Sequence, residues 1–240
     1  MGKVVLLRVG IDSGSGGMQG PLFRNGSFEF VPIPDTVNHS EKRTYGNTMG
    51  KHGEKLIEYF PDRLKNKCRD QPIHSDPEFD SFTYGDPTSL KARLRELELG
   101  DLLVFYAGLE GSGGFKSKAG LYIVGYLDIQ KAGRVKNFTK SEMATFFRKN
   151  AHVYDKKRFN HDKETLVLVK GTKKSRLLKK AVLISEIGQD CKGRPLKILS
   201  KKMQSVFGNF DGHLSIQRSS PRWVYPAFVE RAAQFVRNLR

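Results

Sequence analysis

Apolar positions fall into two periodicities along this chain. From Lys3 to Ile11, the residues Val4, Val5, Leu6, Leu7, Val9 and Ile11 leave little polar alternation, as in a strand buried on both faces. Asp101 to Leu109 (DLLVFYAGL) and Gly120 to Ile129 (GLYIVGYLDI) are two more β-favouring runs. The connection between them, EGSGGFKSKA, is longer than a tight hairpin needs. Asn25 to Pro34 starts on an Asn-Gly turn signal and alternates Phe28, Phe30 and Ile33. Glu164 to Val169 and Ala181 to Ile187 read as further strands, joined by the basic stretch KGTKKSRLLKK. Helical spacing is clearest from Pro87 to Leu99, where Asp86 suits the N-cap, Pro87 the first turn and Gly100 the stop. There Leu90, Leu94 and Leu97 share one face. Lys51 to Phe60 predicts a short helix. A further helix starts at Thr139, with Glu142 completing a capping box, and buries Met143, Phe146 and Phe147. Pro226 to Leu239 predicts an amphipathic helix with Phe228, Ala232, Phe235 and Val236 inward.

Strands and helices alternate without a βαβ rhythm. The expected class is therefore α+β, a mixed or antiparallel sheet with flanking helices. No linker-like stretch interrupts residues 1–240, which read as one domain; residues 131–240 could form a basic subdomain. The chain echoes itself at Thr44-Tyr45-Gly46-Asn47 and Thr83-Tyr84-Gly85-Asp86, and the letters Gly-Ser-Gly-Gly occur twice. The order of these pieces is not that of a tandem duplication, so repeated turn chemistry is the reading.

Composition adds an asymmetry. Hydrophobic residues are 38% and charged residues 28% of the chain, a globular balance. No apolar run reaches the roughly 18 residues of a membrane span. A single Lys precedes Val4, so no signal peptide is read. Cys68 and Cys191 lie in no CxxC pattern, which fits a reducing cytoplasm. The net charge of +17 is concentrated: residues 1–130 sum to −1 and residues 131–240 to +18. So one-sided a field attracts polyanions, and nucleic acid is the expected partner.

Four stretches carry candidate chemistry. The glycine-rich turn after the first strand, IDSGSGGMQG, matches neither the dinucleotide nor the P-loop fingerprint: Gln19 stands where a third glycine is needed. Near Gly46 to His52 the P-loop spacing is one residue short. The turn therefore reads either as a connection or as the rim of a site that Arg8, Asp12, Ser13, Ser15 and Gln19 can reach. In HSDPEFDSFTYGDP, the residues His74, Asp76 and Asp80 could act as metal ligands or an acid–base set. Their spacing matches no familiar metal site and such residues are ordinary in turns, so no metal is assigned. The basic text is denser: Lys170 to Lys202 holds eleven Lys/Arg against two acids, and YDKKRFNHDK sets Tyr154 and Phe159 among cations. Cations neutralise phosphates and rings stack on bases. In SSPRWVYP, Trp223 is either a stacking platform or the plug that docks the last helix. No nucleophile–base pattern can be assembled.

The segments LLRVGIDSGSGGMQGPLF, FEFVPIPD, RTYGN, DPEFDSFTYGD, LELGDLLVFYAGL, GLYIVGYLDI and KKSRLLKKAV resemble the nucleotide modification associated domain family, third type, over nearly the whole chain. The resemblance implies a place in systems that modify DNA bases. LGDLLVFYAGL followed by GLYIVGYLDI is also similar to the core strands of PUA, EVE and ASCH-type barrels, which implies a partly barrel-like sheet and recognition of a base in an aromatic-lined pocket. The expected function is binding of nucleic acid, DNA favoured, or of a nucleotide, in a pocket bordered by both glycine turns. Arg8, Ser13, Gln19, Tyr45, Tyr84, Asp86, Tyr106 and Phe115 would shape that pocket. Lys156, Lys157, Arg158, Lys173, Lys174, Arg176, Lys179 and Lys180 would meet the phosphate backbone. Two alternatives stand beside it: an enzyme acting on a modified base with Asp12 as catalytic group, or a structural subunit with protein partners in a modification or phage-defence complex. The residues do not identify a cofactor.

Overall fold

A computed structural model describes residues 2–37, 41–218 and 220–240. Its first strand is β1 (Val4–Arg8), followed by β2 (Gly20–Leu22), β3 (Ile33–Pro34), α1 (Asp62–Cys68), β4 (Ile73–His74) and β5 (Thr83–Asp86). Two long strands come next, β6 (Leu102–Gly111) and β7 (Gly120–Arg134). Three short helices follow, α2 (Lys140–Phe146), α3 (Ala151–Tyr154) and α4 (Lys156–Asp162). The chain then forms β8 (Val167–Gly171), β9 (Arg176–Leu183), β10 (Ser185–Gln189) and β11 (Pro195–Leu199). It finishes with α5 (Lys201–Phe207), β12 (Arg222–Trp223) and α6 (Pro226–Arg237).

The fold is mixed α/β, with a large mixed sheet in the order β12-β1-β6-β7-β8-β5; β2 adds to β6 and β9 to β7. Strands β1 and β6 run parallel, Val4 beside Leu102 through Arg8 beside Tyr106. Burial explains their unbroken apolar text: Val4 to Leu7 and Leu102 to Leu109 are all buried. Strands β6 and β7 are antiparallel, with a bulge between Phe105 and Tyr106. The path from β12 to β5 does not close among the described residues, so the barrel expected from the resemblance is not found there. No helix among the described residues is long and apolar enough to cross a membrane.

Three local expectations shift. The leucine-spaced stretch after Pro87 forms 3-10 turns over Ser89–Glu96 rather than an α-helix. A three-residue period aligns Lys91, Leu94 and Leu97: Lys91 pairs with Asp86, Leu94 and Leu97 enter the core, and Leu90 is left 68% exposed. Lys51 to Phe60 likewise contains only the 3-10 turn Leu56–Tyr59. KKSRLLKK, read as a connection, largely forms β9, with Leu178 buried and its cations outward. The capping box at Thr139 and the amphipathic α6 are present as expected.

Candidate active-site cleft

One cleft of about 640 Å³ opens where β1 ends, between the turn after it, β4, β5 and the segment near Arg218. Arg8, Asp12, His74, Asp76, Tyr84, Asp86, Leu90, Lys91 and Arg218 are among its lining residues. Six of the residues singled out from sequence, Arg8, Asp12, His74, Asp76, Tyr84 and Asp86, therefore share it.

At the upper wall the first glycine turn builds itself around Asp12. The carboxylate oxygen Oδ1 accepts from the backbone N–H groups of Gly14 and Ser15, each at 2.8 Å, and from Ser15 Oγ at 3.1 Å. Oδ2 pairs with Arg8 Nη2 at 2.9 Å. Arg8 also donates from Nη1 to the backbone carbonyl of Gln217. Gly16 adopts φ +121°, and a Cβ there would lie 2.4 Å from Ile11 Cγ1. The turn is thus a folded unit whose acid holds its own backbone, and Asp12 is a wall of the cleft rather than an unengaged acid.

Asp86 anchors the opposite wall. It accepts from Lys91 Nζ at 2.7 Å, Tyr84 Oη at 3.0 Å and the Thr88 N–H at 2.8 Å. Burial works to raise the Asp86 pKa, but the Lys91 charge and these donors hold it below the ordinary carboxylate value. Burial beside two carboxylates pushes the Tyr84 hydroxyl far upward.

One cluster at the cleft wall extends beyond what the sequence assembles. His74 on β4, Asp76 just after it and His152 on α3 converge, their ligating atoms within 4.8 Å of one another. Asp76 Oδ2 lies 4.0 Å from His74 Nε2 and 3.6 Å from His152 Nε2. Both Asp76 oxygens accept from the Gly85 N–H at 3.1 Å. Burial raises the Asp76 pKa well above the ordinary carboxylate value, with the Gly85 N–H acting against it. Behind His152, Nδ1 meets Asp162 Oδ2 at 3.0 Å. Behind His74, Nδ1 faces Asp35 Oδ2 at 3.4 Å and Arg158 Nη1 at 3.0 Å. His74 and Asp76 were weighed from sequence together with Asp80, which is exposed; the partner they meet is His152, about 75 positions away. Asn150, which caps α3, and Asp155, which caps α4, were the available local signals.

The remaining expected residues are spread more widely. Tyr45 is fully buried and donates to the Pro32 carbonyl at 2.8 Å, so it is core rather than pocket. Tyr106 is also buried, donating to the Ile216 carbonyl at 2.9 Å and so anchoring the segment beside Gln217. Phe115 packs half-buried on the main core. Ser13 and Gln19 line a separate groove of about 340 Å³, with Gly17, Gly111 and Ser112. The two glycine turns therefore border that smaller groove together; the cleft takes only the first. Arg158 is turned inward onto Asp35, at 2.6 and 3.0 Å, and is withdrawn from any phosphate role. Lys156, Lys157, Lys173, Lys174, Arg176, Lys179 and Lys180 are exposed, Arg176 lying over the Tyr126 ring at 5.8 Å. Trp223 sits in β12 with Arg93 over its ring at 4.3 Å, which fits a docking role; Ser219, which opens SSPRWVYP, lies outside the described residues.

No curated protein and no solved structure matches the chain. The family model described as Nucleotide modification associated domain 3 does match, over residues 3–238. With nearly its whole length covered, this chain belongs to the nucleotide modification associated domain 3 family.

Proposed function

We propose that the chain binds a nucleotide, free or as a base drawn out of DNA, in the cleft between the first glycine turn and β5. The observation that carries this reading is the convergence there of Arg8, Lys91 and Arg218 with Asp12 and Asp86 in about 640 Å³, beside the exposed side chain of Leu90. That volume is within the usual range of about 300–1,000 Å³ for small-molecule sites. Guanidinium and ammonium groups suit phosphate or a base carbonyl, carboxylates accept from ring N–H and exocyclic amines, and Leu90 with Ile33 offers apolar contact to a base face. Membership of a nucleotide modification family agrees in substrate class. The exposed lysines of α4 and β9 would then hold the phosphate backbone outside the cleft.

Binding of labelled single- and double-stranded DNA and of mononucleotides, followed by anisotropy or calorimetry, tests the reading. Saturable binding is expected, DNA affinity falling steeply with salt, and Leu90→Glu at the exposed lip should weaken it at least tenfold. Absence of saturable binding, or affinity indifferent to Leu90→Glu, overturns it.

A further inference from the structure

Nucleotide binding alone gives no reason for the group formed by His74, Asp76 and His152, the first two of which line the cleft. Two imidazoles and a carboxylate point at a common space, yet the 3.6 and 4.0 Å separations are too long for hydrogen bonds between them. We propose that His74, Asp76 and His152 bind one divalent first-row transition-metal ion, with its remaining coordination positions open to the cleft.

Geometry comes first. Three ligands on one ion at bonds of about 2.0–2.2 Å lie roughly 3.0–3.6 Å from one another at octahedral or tetrahedral angles. The 3.6 Å between Asp76 and His152 meets that range, the 4.0 Å to His74 exceeds it by a few tenths of an ångström, and the full set, within 4.8 Å, needs a closure of roughly an ångström. Charge is the second argument. Among the described residues, no Lys or Arg nitrogen stands within 4.0 Å of the buried Asp76 carboxylate; the two histidines are its nearest ionisable partners, and Lys91 acts on it only from farther off. A divalent cation would place a close countercharge beside that carboxylate.

The outer contacts agree. Metal-binding histidines characteristically donate their second ring N–H to a carboxylate, which fixes the tautomer. His152 does this through Asp162, and Asp162 also meets the exposed His161 at 2.8 Å. His74 has Asp35 in the corresponding place, with Arg158 competing for the same nitrogen; the ion would select the tautomer protonated toward Asp35. The Gly85 N–H orients the Asp76 carboxylate. Two nitrogens and one oxygen suit Fe²⁺, Co²⁺, Ni²⁺ or Zn²⁺ and are a poor set for Mg²⁺ or Ca²⁺. Because His74 and Asp76 line the cleft, such an ion would face a bound nucleotide, acting as a Lewis acid on a coordinated oxygen. Only this last clause rests on the nucleotide reading.

The full chain, dialysed against a chelator and titrated with Co²⁺ in the absence of nucleotide, tests the site. Visible d–d absorption should saturate at one ion per chain, and Zn²⁺ should displace it. Asp76→Asn and His152→Gln should abolish the saturable phase, Asp162→Asn should weaken it about 10–100-fold, and His213→Ala, elsewhere on the surface, should leave it unchanged. Circular dichroism checks that each variant folds. Should the core variants not fold, anomalous scattering from Co²⁺-soaked crystals of the unsubstituted chain locates the ion independently. Lack of saturable uptake, or an ion held elsewhere, overturns the proposal. A chain that takes up Co²⁺ but no nucleotide defeats only the earlier reading, and the converse result defeats only this one.

Discussion

Thr44-Tyr45-Gly46-Asn47 and Thr83-Tyr84-Gly85-Asp86 are nearly the same text, but they stand at different removes from the cleft. The first backs β4: Thr44 bridges Pro72, and the Ile73 N–H donates to the Arg43 carbonyl at 3.0 Å, just before His74. The second forms β5 and touches the site itself, the Gly85 N–H holding Asp76 and Asp86 holding Lys91. Each glycine is needed for close approach. A Cβ on Gly46 would lie 2.9 Å from the Arg69 carbonyl oxygen, whereas one on Gly85 would meet Asn150 Oδ1 at 3.0 Å and His152 Cδ2 at 3.1 Å. The tyrosines divide in the same way, Tyr45 donating to a backbone carbonyl and Tyr84 to a carboxylate. Identical local chemistry thus becomes packing in one place and site architecture in the other, and distant partners make the difference.

The harshest test acts on the clamp that ties the first region to α4. The Arg158 and Asp35 side chains are only 10% and 2% exposed and are bonded through two nitrogens and two oxygens. Removing the guanidinium with Arg158→Gln should cost about 3–5 kcal/mol, read as a lowered midpoint in denaturant, and should unsettle His74. A loss under about 1 kcal/mol would mean that the β3–β4 region does not depend on this clamp. Next come the glycines. Gly46→Ala forces a backbone contact and should destabilise by about 1–3 kcal/mol, with cleft affinity unchanged in the protein that remains folded. Gly85→Ala meets the adjustable ends of side chains, so its stability cost should be smaller. Its effect should appear in the affinity of the cleft, about tenfold through the displaced His152. If the two alanines behave alike, the contrast between the segments fails.

Much of this contrast was beyond the reach of sequence, for identifiable reasons. Continuous burial made β1, β6 and β7 legible, because a strand buried on both faces has an apolar residue at nearly every position. The Thr139 capping box is legible because its partners, Thr139 and Glu142, are local. Leu90, Leu94 and Leu97 suggested an α-helix because their spacing suits its period; the Lys91–Asp86 ion pair and a three-residue period prevailed. At the site, Arg8, Asp12, Tyr84 and Asp86 were legible because strand ends and turns carry polar residues toward clefts. His152 was not. Its text, NAHVYDKKRF, reads as part of a basic surface, and only the fold brings α3 against β5. Arg158 failed for the related reason that a cation in a basic run looks solvent-exposed until its carboxylate, Asp35, is brought beside it.

The mildest and most discriminating test uses the two hydroxyls. Tyr45→Phe removes a neutral, buried hydrogen bond and should cost about 1 kcal/mol at every pH in the acid and neutral range, since the Pro32 carbonyl does not titrate. Tyr84→Phe removes a bond to Asp86, whose carboxyl is held below its ordinary value chiefly by Lys91 against the opposing effect of burial. The sign follows from that depression. The stabilisation by ionised Asp86 is fully present above the unfolded carboxylate pKa of about 3.9 and is lost as the pH falls through the lower folded value. Tyr84→Phe should therefore cost about 1–2 kcal/mol near neutrality and progressively less in acid, while the Tyr45→Phe loss stays level. Chemical denaturation of both variants against the parent from pH 7 down to about pH 1.5 separates these courses. Parallel losses would place Tyr84 with Tyr45 as simple packing; a converging Tyr84 curve ties it, through Asp86 and Lys91, to the charged wall of the cleft.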